Sequence, residues 1–314
     1  VRNNKASDMK IGIPVLQHTD DPQNDQMWTT FYGNLVHPDY SHPVFFRPNN
    51  QNVHLFNWYN GDTVYIIARG PSIGKYLEDK ETCKLLSHPS ICKFGMNSSP
   101  EIIDYNVNLW AGVDKLTKFP AAIYKNPNIM KFVPMNRFQV MNDGSKNQDR
   151  DKAVAYKDGQ NVYIGHCPNV CGIQTFLLEQ HPNTRMNFSS AYLGSTACLY
   201  GYYKGMKSVF LFTLKTCILL GFKKIVLLGV DFTMSNDQPY YKQTASDYQG
   251  FHVDHNNKLY TTLSPLIKDI YKCLESGESG YKTKIVTATP IASMPFIESI
   301  NLKRELKDEI DRKS

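Results

Sequence analysis

The chain has 314 residues, 41% of them hydrophobic, which is enough to bury a sizeable core and excludes global disorder. Its net charge of +6 is spread along the sequence with no basic run, which argues against a dedicated DNA or RNA binder and leaves an anionic substrate open. Seven dispersed cysteines, an odd number, point to reduced buried thiols in a cytoplasmic protein and away from a disulfide framework.

Residues 1–60 are rich in Asn, Asp, Pro and His, with Trp28, Phe31, Tyr32, Phe45, Phe46 and Trp58 interspersed. This composition predicts an irregular N-terminal extension that packs its aromatics on a neighbouring domain. The chain opens on Val1 with no apolar leader, so a trimmed start is expected. Thr63 to Ala68 is a short β-rich apolar run, halted by Arg69-Gly70-Pro71-Ser72-Ile73-Gly74, as a buried strand feeding a tight loop. A helix is predicted from Lys75 to Leu86, a second strand from Ile91 to Asn97 and a third from Val107 to Val113, ending near Asp114.

Residues 125–205 show weak periodicity and several polar stretches, and are read as an inserted lid subdomain. Order returns at Ser208, where Val209 to Leu220 forms an apolar helix closed by Gly221. Lys224 to Asp231 follows as a continuous apolar strand with an acid at its end, the pattern of a central parallel strand. A helix from Leu263 to Leu274, a strand from Lys284 to Thr287 and a charged helix after Pro295 complete the alternation. The fold class expected is α/β: a doubly wound, mostly parallel, Rossmann-like sheet over residues 61–314. The longest apolar segment is broken at Lys215 and again at Lys223-Lys224, short of the roughly 18 residues of a membrane span, so a soluble protein is expected.

Ligands of open parallel sheets bind beyond the carboxyl ends of the strands, where glycine admits a phosphate and the next helix offers N–H groups. Gly70, Ser72 and Gly74 suit that position, although the segment is neither GxxxxGK nor GxGxxG, and a plain turn is the alternative. Asn97, Asp114 and Asp231 fall at predicted strand ends, where they could serve ribose, phosphate or metal, or equally cap helices. Asp254-His255, with His252 nearby, precedes a predicted helix and offers a general base or an exposed loop histidine. His166, Cys167, Cys171 and His181 lack standard zinc spacing, so no metal site is assigned. Tyr200, Tyr202 and Tyr203 could stack on a base or sugar, or simply belong to the core.

Several separated segments resemble the bacterial lipooligosaccharide sialyltransferases, and more broadly the Rossmann-like superfamily that includes archaeal pterin pyrophosphokinases. They are Val64 to Ile73 with Asn97, Ser208 through Phe232, and His255 through Tyr271 followed by Lys284 to Val286 and Pro290 to Ser299. At Arg69 that family often carries Asn, and at Ser98 it tends to carry Gln. The resemblance implies a metal-independent, inverting transfer from a CMP-linked sugar to a glycan or other hydroxyl acceptor. It implies that Arg69, Gly70, Pro71, Ser72, Asn97, Ser98 and Asp231 seat the nucleotide. Tyr240 and Tyr241 would lie near its phosphate, Ser208 would assist, and His255 would be the general base. The pterin branch implies instead a magnesium-dependent pyrophosphoryl transfer, with the ion on Asp114 or Asp231. A non-catalytic nucleotide-binding or structural protein, with the aromatic extension as an assembly surface in a homo-oligomer, is the third expectation.

Overall fold

The computed structural model describes residues 45–47, 52–53, 55, 57–113, 119–134, 154–155, 161–162, 167–173, 208–235, 237, 240–242, 253–276 and 282–314. In chain order its elements are β1 (Phe45–Phe46), β2 (Asn52–Val53), β3 (Thr63–Ile67), α1 (Gly74–Leu77), α2 (Lys80–Leu86), β4 (Cys92–Met96) and β5 (Leu109–Ala111). There follow α3 (Ala121–Lys125), β6 (Met130–Pro134), β7 (Val154–Ala155), β8 (Asn161–Val162), β9 (Val170–Ile173), α4 (Val209–Leu219) and β10 (Lys224–Leu228). The chain closes with α5 (Val253–Ser276), β11 (Lys284–Thr287), β12 (Glu298–Ser299) and α6 (Leu302–Lys313).

Ten strands form one sheet in the order β12-β11-β10-β3-β4-β5-β6-β9-β1-β2. From β12 to β9 every pairing is parallel, while β1 and β2 add an antiparallel edge. At the centre β10 runs beside β3 from Lys224↔Thr63 to Leu228↔Ile67. Because side chains alternate across a strand, Val64, Ile66, Ile225, Leu227 and Ile285 enter one core. That core also holds the buried faces of α4 and α5. Tyr65, Ile67, Val226, Leu228 and Val286 enter the opposite core with Leu86 of α2 and Leu302 and Leu306 of α6. Helices thus cover both faces of a mostly parallel sheet, a doubly wound, Rossmann-like α/β fold.

Local chemistry moves several element boundaries. The helix expected from Lys75 to Leu86 is divided: the Asp79 carboxylate accepts from the backbone N–H of Thr82 at 3.2 Å and caps α2, competing with continuation from α1. The helix expected at Leu263 begins ten residues earlier, at Val253, and carries Pro265 within it. Its first turns lack an apolar stripe and are held instead by Asn257, whose amide bonds both backbone groups of Met234 at 2.9 and 3.0 Å. Strand β10 stops at Leu228, because Gly229 turns the backbone left-handed at φ +65°, so Asp231 lies in the turn beyond the strand. Within residues 125–205, β6 and β9 extend the main sheet, and within residues 1–60, β1 and β2 form its outer edge.

Candidate functional site

The strand order reverses between β10 and β3: after β3 the chain proceeds outward through β4, β5, β6 and β9, whereas β10 leads toward β11 and β12. In open parallel sheets, ligands bind beside such a switch point, beyond the carboxyl ends of the strands. The predicted residues Arg69 to Ser72 follow β3, Asn97 and Ser98 follow β4, and Asp231 follows β10, so all lie on that one edge. Helices α4 and α5 each lead into the amino end of a strand, which puts their N-termini, with Ser208 and His255, at the same edge.

The loop after β3 is held from β10. Gly70 donates its N–H to Gly229 O at 2.8 Å, and a Cβ at Gly70 would lie 2.5 Å from both Gly229 O and Asp231 Oδ2, so only glycine fits. The Asp231 carboxylate accepts from Ser72 N–H at 2.9 Å and from the Ser72 hydroxyl. Ile73 N–H donates to Gly70 O at 3.1 Å, and Gly74 N–H to Pro71 O, while Pro71 has no N–H. The sequence suggests free N–H groups for a phosphate in this turn; in the structure those of Gly70, Ser72, Ile73 and Gly74 are all engaged by the protein. Polar side chains along this edge are therefore the groups left to a ligand.

Arg69 is buried, and its guanidinium donates to the Ser98 hydroxyl and to Lys242 O while lying 4.3 Å from the centre of the Tyr240 ring. Tyr241 N–H donates to Arg69 O at 2.9 Å, and its ring fills the space above Gly74, where a Cβ would be 2.8 Å from it. Tyr240 to Lys242 therefore form a short strap across the loop.

Asn97 adopts φ +48° at the end of β4; its N–H donates to Ala111 O at 2.8 Å, and its carbonyl accepts from Trp110 Nε1 at 2.7 Å. Its side-chain Oδ1 is buried with no hydrogen-bond partner among the described residues. Beyond Asp231, Phe232 also turns left-handed at φ +50° and stands edge-on to Phe210 and Tyr260. Burial, with the Asp231 charge adding to it, raises the Tyr260 phenol above its ordinary value.

Ser208 is buried at the N-cap of α4 without a side-chain capping bond. His255 lies in the first turn of α5, two residues before the Asn257 that binds Met234, and not in a loop before the helix. Asp114, His166, His181, Tyr200, Tyr202, Tyr203 and His252 lie outside the described residues. Cys167 and Cys171 sit in cores on opposite faces of the sheet, so they do not face one another. Sequence reasoning does not single out Trp110, Asn257 or Lys242: Trp110 and Asn257 bond backbone groups on another strand or remote in sequence, and Lys242 contributes only its backbone carbonyl, which accepts from the Arg69 guanidinium. No helix among the described residues is long and apolar enough to cross a membrane.

No family model matches the chain, and neither a curated protein nor a solved structure matches it.

Proposed function

We propose that this chain is a glycosyltransferase that takes a nucleotide-sugar, with CMP as the nucleotide, at the β10–β3 switch point. The observation that carries the reading is the convergence of Arg69, Ser72, Asn97, Ser98 and Asp231 on one carboxyl edge, with the Tyr240–Lys242 strap across the loop. The resemblance to the lipooligosaccharide sialyltransferases adds the reaction class. Asn97 and Ser98 seat the nucleotide, the Arg69 charge favours its phosphate, and Tyr240 and Tyr241 border the leaving group. His255 takes the proton of the acceptor hydroxyl as that oxygen attacks the sugar carbon and the nucleotide departs.

A magnesium-dependent pyrophosphoryl transfer from ATP is the second reading, and the pairing of the Ser72 hydroxyl with the Asp231 carboxylate favours it. Hydroxyl and carboxylate oxygens fit a hard cation, and these two residues would hold it; when bound, it would neutralise charge on the transferring group.

A thermal-shift panel of CMP, CDP, UDP, GDP and ATP, each with and without magnesium, separates the readings, since a ligand bound by the native state alone raises its melting temperature. Stabilisation by CMP without metal is the expected result. A shift that requires ATP and magnesium together would replace glycosyl transfer with pyrophosphoryl transfer, and no shift with any nucleotide would favour a non-catalytic protein. On the leading reading, His255→Ala abolishes turnover while CMP affinity stays within about twofold.

A further inference from the structure

We infer that Trp110 is a positioning residue for the ligand site: its indole N–H fixes the strained backbone of Asn97 and thereby sets where the Asn97 amide stands. The inference rests on the reading of the carboxyl edge as the nucleotide site.

Trp110 belongs to β5 and is fully buried, edge-on to Phe119 at 5.2 Å and to Tyr124 at 5.4 Å. Packing of that kind needs an aromatic ring but no N–H. The N–H is directed to the Asn97 carbonyl at 2.7 Å, crossing from β5 to the turn after β4. The Asn97 N–H is held from the same strand, by Ala111 O at 2.8 Å. Both backbone groups of Asn97 are therefore fixed by β5, at a φ of +48° that L residues adopt only at a cost and that Asn tolerates better than most.

The surroundings leave this arrangement little freedom. A Cβ on Gly112 would lie 2.4 Å from Cη2 of Trp110, so the indole has one seat. A Cβ on Gly95 would lie 2.9 Å from Pro100, and Met96 N–H is bound by Ser99 Oγ at 2.7 Å, so the turn around Asn97 is also tightly built. At the centre of these constraints stands a buried acceptor, Asn97 Oδ1, with no partner among the described residues, next to the Ser98 that holds Arg69. A left-handed residue combined with an unsatisfied buried acceptor marks a place organised for a group from outside the chain. The group that fits is a hydrogen-bond donor, an N–H or O–H of the ligand.

The test measures CMP affinity by calorimetry for the wild-type chain, Trp110→Phe, Asn97→Ala and the double variant. Trp110→Phe is expected to lower the ligand-free melting temperature, because it leaves a cavity and an unpaired carbonyl, and, at a temperature where the variant is folded, to weaken CMP by about fivefold or more, with no further effect on affinity once Asn97 is replaced by alanine. A Trp110→Phe chain that binds CMP like wild type, or a substitution that costs as much affinity in the Asn97→Ala background, overturns the inference and leaves the nucleotide site standing. A wild-type chain that does not bind CMP overturns both. Should the Trp110→Phe variant fail to fold, benzothienylalanine at the same position, with sulfur in place of the N–H and the same ring shape, is read by the same criteria.

Discussion

At the level of single residues, the contact between Gly70 and Asp231 shows how closely the site is built. A methyl at Gly70 would need the loop to retreat from two oxygens, each 2.5 Å from its Cβ. Gly70→Ala is therefore expected to cost about 1–3 kcal/mol in denaturant unfolding and to abolish stabilisation by CMP. Gly70, Ser72, Asn97 and Asp231 are legible in the sequence because small and polar residues interrupt apolar runs. Their partnerships are not. The sequence offers Asp231 as a ribose, phosphate or metal ligand, but its carboxylate engages Ser72 across 159 positions of sequence. Trp110 reads as ordinary core, since nothing local distinguishes an indole N–H with a cross-strand task from one without.

Among the elements, α6 depends on a buried acid. Glu309 accepts from Thr63 Oγ1 at 3.2 Å, from Arg312 Nη2 at 2.8 Å and from Lys313 Nζ at 2.9 Å, tying the C-terminal helix to the start of β3. Burial raises its carboxyl, but the hydrogen bonds and charges of Arg312 and Lys313 outweigh that and hold it below the ordinary range. Its contribution is thus present above the unfolded carboxyl pKa and is lost as pH falls through the folded value. Glu309→Ala is expected to lose about 1–3 kcal/mol by chemical denaturation at neutral pH, and less in acid. The strands of the central sheet are legible as continuous apolar runs. The first turns of α5 are not, since Asn257 stabilises them through Met234 and supplies no hydrophobic period. The division between α1 and α2 follows from the Asp79 cap, a local signal that the apolar pattern obscures.

Over the whole molecule, Lys93, Lys131 and Lys215 are buried among the described residues. Lys131 donates to Pro168 O at 2.7 Å and to Asn126 O, and burial pushes its ammonium down to about 7; Lys93 donates to Leu86 O at 3.1 Å and is pushed down to about 8. Between these values and the ordinary lysine pKa, the unfolded chain binds more protons than the native one, so stability rises with pH. Thermal midpoints are therefore expected to climb from about pH 6.5 to 7.5, below the range where most unfolded thiols ionise. Lys131→Met should flatten that rise, and an unchanged slope in the variant would remove Lys131 as its source.

What the sequence determined by itself is the alternation of strands and helices and the position of the loop after β3. Both follow from local rules: apolar runs of strand length, and glycine or proline where the backbone must turn sharply. Only the tertiary structure decided that β6 and β9 extend the sheet, that α5 starts at Val253, and that the N–H groups of the Gly70–Gly74 turn are already engaged. Apart from the bonds of Ile73 and Gly74 within the turn itself, these outcomes depend on hydrogen bonds between residues far apart in the chain, and a partner supplied by another strand leaves no periodic trace in either segment.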